Sequence, residues 1–336
     1  MGVTIKDVAR KTGVSVTTVS LVLNKKSSRI SEKTRQLIED AAKELHYIPN
    51  HNAVSLVTKK SRLIAMIIPA DTYYQYDDFI RSMEYACRNA GYYLNISLAE
   101  HTPEDIEKQI MDILRYNVEG IIFDSSMLVE SSDSLYQLIA QQDIPVIFTN
   151  QIGDTAPENG IIPAHRKAAS LAADHLISLG HTRIGLVTGP ENLRVTGELI
   201  AGYRSTLEEC HIPFSEDLIY CGSYNTRTGD EGLIQLMKEN VSAIICASDM
   251  LACGVLRSAS KQGINIPSDL SLVSYGMGSF IDTLGLPITS ISVHLDRIAR
   301  KSVNLIRNYH GEPSSPELIE PTLIDRGSTA PYNKNL

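Results

Sequence analysis

The stretch TIKDVARKTGVSVTTVSLVLN, Thr4 to Asn24, decides how the N-terminal part of the chain folds. Thr4 followed by Asp7 is a Ser/Thr-x-x-acid signal for a helix start. Ile5, Val8 and Ala9 then recur at helical spacing and give one apolar face. Gly13 suits the left-handed residue that closes such a helix. Ser15 can cap a second helix, with Val19 and Leu23 four apart on its inner face. Val16, Thr17, Ser20 and Leu21 are left on the outward face. A third helix is expected from Ser31, burying Leu37, Ile38, Ala41, Ala42 and Leu45. Three short helices with one small, β-branched outward face predict a helix-turn-helix unit for the major groove of DNA.

Charge is distributed to match. The 336-residue chain is long enough for more than one folding unit, and its formal net charge is -8. Residues 1–62 nevertheless hold 12 Lys and Arg against 5 Asp and Glu, a net of +7, and the remainder carries -15. A basic head on an acidic body fits a DNA-binding domain joined to a core with another task.

Beyond residue 62 the pattern alternates strand and helix twice over. RLIAMIIP, LNISLAE, GIIFDSS and PVIFTN read as strands of a first run, and RIGLVTG, LIYCGSY, SAIICASD and LSLVSYG as strands of a second. Continuous apolar strands between amphipathic helices predict parallel sheets covered by helices. The expected fold is an all-α headpiece (1–49), a hinge or linker (50–61) and a two-lobed α/β core (62–336) of parallel sheets. The lobe change is expected near Ile161 to Pro163, with an N-lobe of about 62–161 and 291–322 and a C-lobe of about 162–290 and 323–330.

In open α/β sheets, ligands sit beyond the carboxyl ends of the strands. The loops there are 70–77, 124–127, 189–198, 248–250 and 274–278. Tyr73, Tyr74 and Tyr76 cluster in the first of them. Such rings either stack on a sugar or heterocycle or pack on neighbouring loops or a second subunit.

Other chemistry is not indicated. The five cysteines are scattered without a Cys-x-x-Cys pair, which gives neither a zinc site nor a disulfide framework. The longest apolar run, LIAMIIPA at 63–70, is too short for a membrane span, and the polar start lacks the h-region of a signal peptide. No Gly-x-Ser-x-Gly elbow, P-loop or His-Glu-x-x-His occurs, and SYGMGSFI from Ser274 has Ile281 where a dinucleotide site needs glycine. His165, beside Arg166 and Lys167, reads as a surface or cleft-edge residue. Asp249 reads as a helix cap or cleft ligand, or in an enzyme as an acid. No metal, cofactor or catalytic constellation is expected.

TIKDVARKTGVSVTTVS, VLN, YIPN (Tyr47 to Asn50), HLISLGHTRIGLVTGP (His175 to Pro190) and the closing DRGST (Asp325 to Thr329) resemble the lactose-repressor (LacI/GalR) family of bacterial transcription regulators. The resemblance implies a cytoplasmic homodimeric regulator, most often a repressor. It would bind a pseudo-palindromic operator under control of an effector between the core lobes, or of a partner protein. A small-molecule binding protein and an α/β enzyme are the readings from other classes. DNA contacts are implied for Thr4, Ser15, Val16, Thr17, Thr18, Ser20, Leu21, Asn24, Arg29, Ser31, Thr34 and Asn50. The resemblance also implies that 50–57 forms a hinge helix on DNA and wedges Leu56 into the minor groove; the other reading packs Leu56 on the headpiece. Tyr73, Tyr74, Tyr76, Asp124, Arg194, Thr196, Glu198, Ser248, Asp249 and Gly276 are the candidate effector contacts. No leucine-rich heptad tail follows DRGST, so a dimer rather than a tetramer is expected.

Several positions depart from the family pattern. Leu21 stands where arginine is usual, and leucine makes only apolar contact, for instance with a thymine methyl. Gly197 (seven residues after Pro190), Gly276 and Ala164 stand where sugar-responsive members carry charged ligand contacts. Simple free sugars are therefore expected to bind poorly.

Overall fold

The computed structural model describes residues 3–24, 29–48, 55, 60–70, 76–100, 102–127, 138, 141, 143–150, 159–276, 287–312 and 314–332. The chain divides into two compact units between Arg62 and Leu63.

The first unit contains α1 (Ile5–Thr12), α2 (Val16–Leu23) and α3 (Glu32–Glu44). The Asp7 carboxylate accepts from the Thr4 backbone N–H at 3.0 Å and from its hydroxyl at 2.7 Å. These bonds hold the Asp7 carboxyl below its ordinary range. Gly13 closes α1 at φ 70°. Ser15 accepts from Thr18 N at 3.1 Å, and Ser31 from Thr34 N at 3.2 Å, so each following helix starts on a hydroxyl cap. Val8, Ala9, Val19, Val22, Ile38, Ala41 and Ala42 form the core, with Ile5, Leu23 and Leu45 packed against it. Leu37 departs from expectation: it is 49% exposed. Ile38, Ala41, Ala42 and Leu45 already share one face at i, i+3, i+4 and i+7, and Leu37 lies about 100° away. Val22, unread from sequence, is buried as the i+3 neighbour of Val19.

The second unit is built on two six-stranded sheets. The first sheet holds β1 (Leu63–Pro69), β2 (Tyr93–Ala99), β3 (Gly120–Asp124), β4 (Val146–Thr149), β5 (Gly160–Pro163) and β11 (Glu317–Ile319), in the order β11-β5-β4-β3-β1-β2. The second holds β6 (Ile184–Thr188), β7 (Ile219–Cys221), β8 (Ala243–Cys246), β9 (Ser271–Tyr275), β10 (Thr289–Ser292) and β12 (Thr322–Ile324), in the order β12-β10-β9-β8-β6-β7. The pairings are parallel except β10 with β12. The helices are α4 (Asp77–Ala90), α5 (Pro103–Leu114), α6 (His165–Ser178), α7 (Arg194–Glu209), α8 (Thr226–Lys238), α9 (Asp249–Gln262) and α10 (Leu295–Arg307). Apolar strands such as β1, β3 and β8 are buried almost throughout, as sheets covered by helices require.

β5 and β10 were not expected as strands. Each has four residues; β5 ends in Pro163 and β10 is Thr-Ser-Ile-Ser, too short and too polar to stand out. The chain passes between the sheets three times, after β5, after β10 and after β11. The late helix α10 packs Ile298, Ala299, Val303 and Ile306 into the first lobe with Phe79 and Met83 of α4.

Two glycines set the spacing of α8 and α9. A β-carbon on Gly229 would overlap the Leu251 carbonyl oxygen, and one on Gly254 would overlap that of Thr226. The two helices are in backbone contact there, and the start of each is fixed by the other.

Candidate functional site

Two sites follow, one on each unit. On the first, α2 turns its outward residues to solvent: Val16 is 40% exposed and Thr17 is exposed, while Ser20 and Leu21 are half-buried. The polar groups around them bond to one another. Ser15 Oγ and Thr18 Oγ1 share a hydrogen bond of 2.8 Å. The Asn24 side-chain amide donates to the Ser20 carbonyl at 2.8 Å and to the Ser20 hydroxyl at 3.2 Å. Arg29 is exposed just before α3, where the hydroxyls of Ser31 and Thr34 lie 2.8 Å apart; Thr4 opens α1. Asn50 and Leu56 lie outside the described residues.

On the second unit, a run of hydrogen bonds joins the ends of strands from both sheets. The Tyr76 hydroxyl, at the start of α4, bonds the Asp124 carboxylate at the end of β3. Asp124 accepts from Ser126 N at 2.8 Å and from the Asn150 amide at 3.3 Å. Asn150, after β4, takes a left-handed backbone (φ 79°), which asparagine tolerates. Its carbonyl bonds His165 Nε2 at the start of α6, and His165 Nδ1 lies 2.5 Å from the Tyr275 hydroxyl at the end of β9. A carbonyl can only accept, so Nε2 carries the proton and the Tyr275 O–H donates to Nδ1. The relay therefore runs from one lobe into the other with a neutral imidazole at the crossing.

His165 is buried, at 6% exposure, and not a surface residue. Burial pushes its pKa down to about 4 and raises the carboxyl of Asp124 and the phenols of Tyr76 and Tyr275. The buried Tyr224 hydroxyl, beside Thr188 and Thr196, is pushed up to about 12.

The other expected effector residues separate. Thr196 is buried beside Tyr224. Ser248 caps α9, accepting from Leu251 N at 3.3 Å. Asp249 accepts from Ser274 at 2.5 Å, and its carboxylate fills the space a β-carbon on Gly276 would need. Exposed Arg194 and half-buried Glu198, which pairs with Arg166 at 3.2 Å, line a groove of about 660 Å³ with Lys167, Ser170 and Leu318. Gly197 is exposed with open space where its β-carbon would be, and Thr196 beside it is buried. Tyr73 and Tyr74 lie outside the described residues. Sequence reading missed Asn150, Tyr224 and Tyr275; the available signal was a polar residue at or just beyond the carboxyl end of a parallel strand.

The relay gives stability a pH dependence. The unfolded His165 takes a proton near pH 6.5, and the folded one only near pH 4. Its contribution is complete above pH 6.5 and is lost as pH falls towards 4, by about 3 kcal/mol. His175 and His181, also lowered by burial, act in the same sense, and the raised Asp124 acts in the opposite one. His165→Gln keeps a donor and an acceptor but does not titrate. Urea unfolding at pH 7, 5.5 and 4.5 is expected to fall more steeply for the native chain than for the variant; parallel curves would contradict the burial of a neutral His165.

The sequence of residues 4–50 matches the family described as "Bacterial regulatory proteins, lacI family", and residues 173–329 match a periplasmic binding protein-like domain. The chain is 31% identical to the HTH-type transcriptional regulator DegA of Bacillus subtilis (strain 168), over 99% of this chain and 100% of that protein. It is 28% identical to the HTH-type transcriptional repressor PurR of Actinobacillus pleuropneumoniae serotype 3 (strain JL03), over 98% and 99% of the two chains. A solved structure of the lac repressor dimer bound to operator and the anti-inducer ONPF superposes with a TM-score of 0.84 at 26% identity, covering 98% of this chain and 100% of that one. The three-helix head, the paired parallel sheets and full-length similarity agree, and the chain belongs to the lacI family of bacterial regulatory proteins.

Proposed function

We propose that this regulator is a homodimeric, cytoplasmic repressor that binds a two-fold DNA site and acts without catalysing a reaction. The observation that carries the reading is α2, capped by Ser15, backed by a buried core and turning Val16, Thr17 and Leu21 outward from a head of net charge +7. Arg29, Ser31 and Thr34 would contact phosphate, as would Thr4. The test is selection of random duplexes by the full-length protein. A two-fold-symmetric site should be enriched; recovery of the input distribution would remove the proposal.

The effector would enter between the lobes and bear on Tyr76, Asp124, Thr196 and the Ser248–Asp249 turn. It must exchange bonds with a relay that is already satisfied. Control by a partner protein is the second reading, favoured because the polar groups here already have partners within the protein: Asp124 with Tyr76, Ser126 and Asn150, His165 with Tyr275, and Asp249 with Ser274. Free pentoses and hexoses are expected to be poor ligands. Ala164 brings no polar side chain, the space beside Gly276 is filled by Asp249, and an unmatched buried hydroxyl costs about 1–3 kcal/mol. A thermal-shift panel of free sugars at millimolar concentration should leave the melting temperature unchanged. A saturable rise with any of them, accompanied by altered operator affinity, would contradict this expectation.

A further inference from the structure

We infer that α2 reads its DNA site through the 5-methyl groups of thymine. The inference rests on the proposal that α2 enters the major groove, and it specifies what the helix can recognise there.

Guanine is read by the paired donors of Arg or Lys, and adenine by the donor and acceptor of Asn or Gln. The sequence of α2, VTTVSLVL, contains none of the four. Asn24, next to its end, has its amide turned back onto Ser20, with both contacts inside its own helix. The hydroxyls of Ser15 and Thr18 bond each other. What remains outward is the isopropyl group of Val16, the isobutyl group of Leu21, and Thr17 with one methyl and one hydroxyl.

Among the described residues, three basic side chains of α1 and α3 are held in ion pairs. Arg10 pairs with Asp7 at 3.1 Å, Lys11 pairs with Glu44, and Arg35 lies 3.7 Å from Glu32. Cations of this kind bind phosphate, which positions a protein and carries no sequence information. The Thr17 hydroxyl, donor and acceptor at once, suits several bases, so apolar contact is the discriminating interaction left to α2. In the major groove the one apolar group that distinguishes the bases is the methyl of thymine. Val16 and Leu21 are five residues apart, about 7.5 Å along the axis and about 140° around it, so they stand at the two margins of the outward face and would meet different bases.

The test begins with a site selected by the full-length protein. Each thymine is then replaced singly by deoxyuridine, which removes the methyl and keeps base pairing. At two or more positions in each half-site affinity should fall about fourfold, the effect of burying one methyl-sized group. Leu21→Ala should make one of those replacements silent while the other still weakens binding. A selected site at which every replacement is neutral would overturn methyl reading and leave the DNA-binding proposal intact. Failure to select any site would overturn both.

Discussion

Between 50 and 200 mM salt, the affinity of the full-length protein for its DNA site is expected to fall by roughly 10³-fold or more, the loss for six or more neutralised phosphates. Two heads of net +7 each provide enough cations for that number of contacts. The absence of charge on α2 sharpens the expectation. Phosphate contacts alone set the salt slope, so selected and random DNA should show nearly the same slope and differ in intercept. Fluorescence anisotropy at four salt concentrations measures both. A flat titration would mean that the basic head does not bind phosphate; a markedly steeper slope on the selected site would place a cation at the base edges and count against an uncharged reading helix.

The second large effect is on stability. Gly254→Ala is expected to cost about 3 kcal/mol, at the upper end of overpacking. The new methyl would overlap the Thr226 carbonyl oxygen and crowd the Gly229 Cα, and two helix backbones cannot yield as a side chain can. The helix-propensity gain of alanine over glycine, roughly 1 kcal/mol, is too small to offset it. Gly197→Ala is the control: Gly197 is helical, exposed and open, so the same exchange should raise stability by up to about 1 kcal/mol. Urea midpoints of the two variants should move in opposite directions. Equal, small shifts would mean that α8 and α9 separate easily at their crossing. Tyr224 lies just before α8, and Ser248 and Asp249 open α9, so the Gly254 variant should also disturb the interlobe site.

Local signals were legible in the sequence. The Thr4–Asp7 pair, Gly13, Ser15 and Ser31 each act within a few residues, and their chemistry is complete at that range. Strand-helix alternation likewise gave the two-lobed core. The relay was not legible, because His165 and Tyr275 are 110 residues apart and nothing near His165 marks it as buried. Gly197, counted from Pro190 as the place of a cleft arginine, is exposed on α7 with open space where a side chain would stand. Leu37, expected in the core, is instead an apolar residue one step of about 100° off the buried face.

The repeated passage of the chain between the sheets bears on synthesis at the ribosome. The first lobe begins with β1 but lacks its edge strand β11 and the covering helix α10 until Ile319 has been made. The whole sequence from Ala164 to Ser292, most of it second lobe, must emerge in between. At ordinary translation rates that is on the order of ten seconds, during which the apolar face of α4 and the open edge of β5 wait uncovered. A nascent chain of this protein therefore closes the lobe it starts first only after most of the other has been made, and a messenger truncated shortly before codon 317 would yield a second lobe without β12 and a first lobe left open along β5.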